Sequence, residues 1–423
     1  MKFYTTCIAL AALASSSMVS SRPVFSRADK VMNGNVNFQQ VAGAAYFMTN
    51  EPDGNFVVTA DIGTDGKLTL NRAVSTGGQG QHGDDGAAGP GPDGLFSQGS
   101  VKASANGKIL AAVNPGSSTL TAFKINPNSP GEIAKLGEPI STEGEFPVSL
   151  AINKNGDRIC VLNGGQVNGV HCYTVDQNKG LSAQTNSLRS LDLNQTTPAN
   201  GPAGTVSHVV FTEDEKQLVA SVKGVPPNPG FLAVWDMDSN GSLSNNFTKV
   251  SPGKGGLLPF SMSVIPGKNA LLATDAGVGF DIFDLSDVSQ ASNSNKTSVV
   301  PINGQMATCW SSFSKQTGNF YLTDIGTAMV TEVNVDQNLK GSIVKQYPQT
   351  NGSATIDNDI ASVGGKDFMY VLQPNTTSVS VLALNAPGKA QNIQTMDFSQ
   401  QASQVGLKIS KANLQGMTTF IKN

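Results

Sequence analysis

The chain holds three histidines, His82, His171 and His208, too few to suggest a histidine-based zinc site. His208 sits in Val206-Ser207-His208-Val209-Val210-Phe211, a strand-like run. Imidazole titrates near neutrality, so this is the residue placed to move a proton; its other role is a ring bonded to nearby backbone. Lys223 ends the next apolar run and would steady a carboxylate or a developing oxyanion. His208 and Lys223 are the candidate catalytic pair. His171, beside Cys172, reads as structural or exposed.

Other polar residues open or end apolar runs and are candidates for ligand binding: Gln98, Glu145, Asp275, Asp324, and Asp357 and Asp359 of the Asp357-Asn358-Asp359 triplet. Asp357 and Asp359 fall on one face of a strand. They could hold a hard cation together with backbone carbonyls, or hydrogen-bond to a neighbouring element. The Gly-rich segment from Gly77 to Ser100 adds His82, Asp84, Asp85 and Asp93, and is either a lid carrying ligand contacts or a solvated loop. No phosphate-binding loop, His-Glu-X-X-His or Gly-X-Ser-X-Gly motif occurs, so no organic cofactor is expected and a bound cation is the one inorganic candidate.

The elements that must position these residues repeat. Tyr46 to Asn50, Ile109 to Asn114, Ile159 to Asn163, Leu218 to Lys223, Ala270 to Asp275, Phe320 to Asp324 and Phe368 to Gln373 are apolar runs that end in a polar residue. Each is followed by a turn and another strand-like run, at a spacing of roughly 50 to 60 residues, which suits propeller blades. Charged residues are only 14% of the chain and Gly is abundant, which fits an all-β fold of short strands. The expectation is a seven-bladed β-propeller with blades near 40–78, 97–142, 146–194, 205–253, 258–304, 305–350 and 355–400. The first blade lacks an innermost strand, and the run Leu414 to Phe420 is suited to supply it. The ring would then be closed by pairing the two ends of the chain. In such a ring the site residues lie at the channel-facing ends of successive inner strands, with Phe260 and Thr308 at two of those positions. Trp235 and Trp310 sit in apolar contexts and are assigned to packing between blades.

Lys2, an apolar stretch from Phe3 to Ala14 and small residues through Ser21 read as a secretory signal peptide over 1–21, too short to insert in a membrane as an anchor. Residues 22–33 read as a flexible leader and 34–423 as the propeller. Cys160 and Cys172 lie in two runs that face each other about Gly164-Gly165-Gln166-Val167-Asn168-Gly169, so a cross-strand disulfide is expected, with Cys309 a buried thiol. Asn194, Asn240, Asn246, Asn295, Asn351 and Asn375 head Asn-X-Ser/Thr sequons, suited to glycosylation on exposed loops of a secreted, extracellular protein. The net charge of -3 with no basic run argues against nucleic acid and anionic membranes as partners. A monomer is the default.

Several stretches carry a family resemblance: Ala44-Ala45-Tyr46-Phe47-Met48-Thr49-Asn50, Cys160-Val161-Leu162-Asn163-Gly164-Gly165, Asn194-Gln195-Thr196, Thr323-Asp324-Ile325-Gly326-Thr327, Thr355 to Ile360, and Leu414-Gln415-Gly416-Met417. Together they resemble fungal secreted 3-carboxymuconate cyclase-like proteins, of the wider lactonase family of seven-bladed propellers that includes 6-phosphogluconolactonases. The resemblance implies the propeller fold and a channel site of histidine, arginine and glutamate. Here Val206-Ser207 precedes His208 where the family commonly has an arginine, Lys223-Gly224 stands where an acid is expected, and no arginine follows His208. Paired guanidiniums are the best partners for a polycarboxylate. Two readings follow. One is a non-catalytic extracellular binding glycoprotein of the cell-wall antigen or adhesin type, engaging a matrix or cell-wall component. The other is an extracellular lactonase or lactonising isomerase acting on a small carboxylate or lactone.

Overall fold

The apolar runs fold as strands enclosed on both faces. Ile109–Asn114, Gln217–Val222, Ala270–Asp275 and Asn319–Asp324 are buried at every position, because each sheet is sandwiched between two others. The computed structural model describes residues 29–32, 41–288 and 297–422, and within them the chain forms seven antiparallel sheets of four or five strands. The signal peptide, most of the leader and Asn295 lie outside the described residues.

The sheets are the blades of a propeller. Their inner strands are Val101–Ala103, Pro147–Ile152, Val206–Phe211, Pro259–Val264, Thr308–Ser314 and Asn358–Val363 for blades two to seven, and Gln415–Ile421 for blade one. Each inner strand touches the next, and Gln415–Ile421 meets both Asn358–Val363 and Val101–Ala103 to complete the ring. Blade one therefore runs outward as Gln415–Ile421, Val41–Met48, Phe56–Gly63, Leu68–Ser75 and Lys30–Val31. The C-terminal strand supplies the missing inner member, as the sequence predicts, and closure leaves no exposed edge in the ring. Lys30 and Val31 pair with Ala73 and Arg72, so the end of the leader is a fifth strand of blade one and not a free segment.

Buried tyrosines tie neighbouring blades. Tyr46 donates to Pro130 O at 2.8 Å and Tyr370, at the corresponding place in blade seven, to Gly66 O at 2.9 Å. In both, the hydroxyl satisfies a carbonyl of the next blade while the ring fills the interface. Trp235 and Trp310 are fully buried, which makes them packing residues. Cys160 and Cys172 are bonded directly across their strands with Cα atoms 4.0 Å apart. The Cys172 backbone turns outward, its N–H donating to Ser187 Oγ and its carbonyl accepting from Gln184 N–H, so the cysteines form the closely spaced, non-hydrogen-bonded kind of pair. Cys309 is free and buried.

In blades three to six the inner strand is bulged near its start, at Pro147/Ser149, Val206/Val209, Pro259/Met262 and Thr308/Trp310. A bulge re-aims the side chains around it. These four lie where the strands open onto the channel, and they set the geometry described next.

Candidate functional site

At the mouth where the inner strands begin, the Gly77 to Ser100 segment does not form a lid. Its last part, Leu95 to Gln98, is buried and crosses the channel as a stopper. Lys223 Nζ donates to Phe96 O at 2.8 Å, Trp310 Nε1 to Ser97 O at 2.9 Å, and Ser97 Oγ to Val148 O at 2.8 Å. The Gln98 amide clasps Ser311 on the far side, with Nε2 donating to Ser311 O at 3.0 Å and Oε1 accepting Ser311 N–H at 3.1 Å. Gln98 N–H also donates to Ser207 O at 3.1 Å, and Ser149 Oγ donates to Gln98 O at 2.7 Å. Blades three, four and six thus hold a few residues of blade-two leader. Phe96 adopts φ 53°, a left-handed conformation that a non-glycine residue keeps only when its surroundings over-determine it.

The acids expected at this mouth are engaged in structure. Asp275 accepts the N–H groups of Leu257, Leu258 and Gly277 at 2.6, 3.0 and 2.8 Å. Asp324 does the same one blade on, taking Met306, Ala307, Gly326 and Thr327 at 2.8, 3.2, 2.9 and 3.0 Å. Asp357 Oδ2 accepts Gly416 N–H at 2.7 Å and Gln415 Nε2 at 3.0 Å, and Asp359 Oδ2 accepts Thr419 N–H at 2.7 Å and Thr419 Oγ1 at 2.9 Å. Of the two roles open to this pair, hydrogen bonding to a neighbouring strand is the one observed, and among the described residues no group of three or more His, Cys, Asp or Glu is placed to hold a metal. Glu145 takes the Thr197 hydroxyl. His82 lies between Gly83 O and Gly91 O, each 2.7 Å from a ring nitrogen. Asp84 accepts Gly86 N–H and Asp85 accepts Gly91 N–H, both at 2.8 Å, so these residues brace their own loop.

The proposed catalytic pair is separated. Lys223 is buried under the stopper, its three N–H groups meeting Phe96 O, Val206 O at 3.2 Å and Ser207 Oγ at 2.5 Å, with the Phe260 ring 4.6 Å away. Burial pulls its pKa down to about 7 against the pull of nearby Asp93, yet three acceptors around one nitrogen suit the ammonium form. Asp93 is itself pushed well above the usual carboxylate range by burial and then by Asp357.

His208 faces the other way. On its side of the stopper the channel is a blind cavity of about 480 Å³, floored by Gln98 and opening where the inner strands end, near Lys154, Glu213 and Pro266. His208 Nδ1 accepts the Met262 N–H at 3.0 Å, which places the ring proton on Nε2. That N–H has no partner among the described residues. A neutral ring already protonated at Nε2 cannot take a proton there, so His208 offers the cavity a donor and not a base. Burial and then the charge of Lys102 hold its pKa well below the usual imidazole value, which keeps it in that neutral form.

Lys102, also lining the cavity, escapes a reading based on the ends of runs because it lies inside the three-residue strand Val101–Ala103. The one signal for it in the sequence is a lysine flanked by buried-type residues at an inner-strand position. Gln415 is likewise visible only in three dimensions: its Nε2 reaches Asp93 Oδ1 at 3.0 Å and Ser97 O at 3.1 Å as well as Asp357.

Residues 38–189 match the family described as lactonase, 7-bladed beta-propeller. The chain is a seven-bladed propeller, similar to that family over this stretch. No curated protein matches this propeller. Among solved structures it is similar to the periplasmic gluconolactonase of Pseudomonas aeruginosa, with 15% identity, TM-score 0.62 and coverage of 90% of this chain and 100% of that one. A protein of Bacteroides fragilis provisionally assigned as a 6-phosphogluconolactonase shows 15% identity, TM-score 0.58 and coverage of 90% and 98%. Apo AztD of Citrobacter koseri shows 10% identity, TM-score 0.55 and coverage of 90% and 98%. At these identities the likeness is one of fold, which hosts unrelated functions.

Proposed function

We propose that this propeller is an exported, glycosylated binding protein of the cell-wall antigen or adhesin type, resembling fungal secreted members of its fold group, and that it performs no lactonase chemistry. The observation that carries the reading is the stopper: Leu95 to Gln98 occupies the mouth where channel residues would meet substrate, and Lys223 is spent holding it. His208, on the far side, presents a donor where a lactonising site needs a base. Export is supported by the leader composition, the disulfide and the exposed position of Asn194, Asn240, Asn246 and Asn351. Asn375 is half-buried with its amide donating to Gly352 O at 3.0 Å, and is the poorest glycan acceptor of the described five.

The alternative, a lactonase or 3-carboxymuconate-lactonising isomerase, draws on the likeness to solved lactonases. The test is turnover of 3-carboxy-cis,cis-muconate and a panel of sugar lactones, followed by ultraviolet absorbance or pH-stat, with His208→Ala alongside. Flat traces from both folded proteins are expected. Turnover that His208→Ala abolishes would overturn the reading.

A further inference from the structure

The blind cavity is lined by His208 and Lys102. His208 is 97% buried by its 3% relative exposure, and its Nε2–H has no acceptor among the described residues. A Cβ on Gly99 would lie 3.1 Å from that nitrogen and 3.0 Å from Ser149 Oγ, so glycine is what lets the backbone pass this close to the ring. Lys102 is half-buried on the same wall, and its amine makes no hydrogen bond or ion pair among the described residues. A buried N–H without a partner costs roughly 1–3 kcal/mol, so the idle His208 donor, set on the same cavity as a lysine, is a feature to be explained.

The rim side chains are held by backbone groups. Lys154 Nζ donates to Glu213 O, Lys154 N–H to Glu215 Oε1, and Glu213 Oε2 accepts Gly267 N–H at 2.7 Å. Asp359, an acid on the same wall, has Oδ2 taken by Thr419; burial raises its pKa and the charge of Lys102 pulls it back. The remaining walls include Leu150, Val209, Met262, Val264 and Phe313. A cavity of about 480 Å³ with an apolar wall and a few convergent polar groups is of ordinary small-ligand size.

We infer that this cavity binds a monocarboxylate with an apolar body, its carboxylate received by Lys102 Nζ and His208 Nε2–H and its body laid against Val209, Met262 and Phe313. One lysine and one neutral imidazole match a single negative charge. A phosphate or a polycarboxylate would face Asp359 and the glutamates of the rim, with Lys154 the one further cation and that one at the opening. The site rests on the binding-protein reading for its lack of chemistry, but its ligand is read from the cavity alone.

Isothermal titration of the full-length protein with benzoate and hexanoate, and with benzyl alcohol and hexanol as uncharged counterparts, tests it. Saturable heat from the acids, absent for the alcohols and weakened about tenfold or more in Lys102→Met, is expected for loss of one charge-assisted contact. Lys408→Ala, whose exposed amine meets Asp53 at 3.2 Å and does not line the cavity, should bind like the parent. Should Lys102→Met fold poorly, saturation-transfer NMR on the parent protein still decides, since only the acids should receive signal. No saturable binding, equal binding of acids and alcohols, or unchanged affinity in a folded Lys102→Met would overturn the site. Lactone turnover bears separately on the binding-protein reading. Turnover with Lys102-dependent benzoate binding sinks that reading and keeps this site, while flat traces without benzoate binding do the reverse.

Discussion

The Asp357 carboxyl group accepts the backbone N–H of Gly416 at 2.7 Å, and this contact pins the last strand of the chain into the ring. Gly416 sits at φ 78° and a Cβ there would come within 2.6 Å of Ser100 Oγ and 2.7 Å of Val101. The strand is therefore glycine where it squeezes between blades seven and two. Asp359 repeats the clasp at Thr419. The acids that looked like a ligand cluster in the sequence are the fastening of the propeller.

Removing that fastening should loosen the ring. Asp357→Ala strands the Gly416 N–H in a buried site, a loss of roughly 1–3 kcal/mol, since Gln415 Nε2 keeps Asp93 and Ser97 as acceptors, while Asp357→Asn keeps an acceptor for Gly416. Thermal midpoints should therefore fall clearly for Ala and little for Asn. Deleting 412–423 should lower the midpoint further than either, and an unchanged midpoint on deletion would contradict closure by this strand.

Asp281 makes stability depend on pH. Neither of its carboxyl oxygens meets a donor among the described residues, and burial, then neighbouring Asp275, push its pKa well above the usual range. A free aspartate releases its proton near about 3.9, whereas Asp281 holds it in the folded state. Its favourable contribution is complete below that value and is lost as pH rises toward the folded pKa. Asp357, which burial pushes up to about 7, has the same sign. The midpoint of Asp281→Asn relative to the parent should rise steadily from pH 4 through neutrality. A difference that is flat over that range, measured by scanning calorimetry, would rule out a retained proton.

Limited proteolysis probes the stopper. Gly86 to Ala88 and Pro90 are exposed, while Leu95 to Gln98 are buried, so the first cut should fall between Asp84 and Pro90. The nicked halves should stay associated through the contacts of Gln98, Lys223 and Trp310. Lys223→Met leaves Phe96 O without its donor and should speed that cut several-fold. An earlier cut elsewhere, found by mass spectrometry, would show that the segment is not the weakest loop.

The Cys160–Cys172 bond closes a loop with a sequence separation of 12. Replacing both cysteines by alanine should cost about 3 kcal/mol, mainly by freeing the unfolded chain, and urea unfolding measures it. A loss well under 1 kcal/mol would mean that the flanking ladder alone sets the hairpin.

Much of the architecture is legible without coordinates because it is local. Seven apolar runs ending in a polar residue mark the second strands, a period of roughly 50 to 60 residues counts the blades, and the missing first strand of blade one points to Leu414 to Phe420. The cysteine pairing follows from two runs facing one turn. The site was less legible. His208 is picked out by its chemistry, but which nitrogen carries the proton depends on Met262 N–H, 54 residues away along the chain. Lys102 has only the faint signal of a lysine between buried-type residues, and the Gly-rich segment reads as a lid or a solvated loop until its partners are known.

The sequence by itself determined the strands, their repeat and the disulfide, since alternation, turn residues and spacing act over a few positions and need no distant partner, and it pointed to closure because blade one lacked a strand that the C-terminal run could supply. Tertiary structure decided which end of the channel is open. That choice rests on Gln98 meeting Ser311 and Ser97 meeting Trp310, each 213 residues apart. Hydrogen bonds of that range are set by where the ring brings blades two and six together, and no local pattern encodes them.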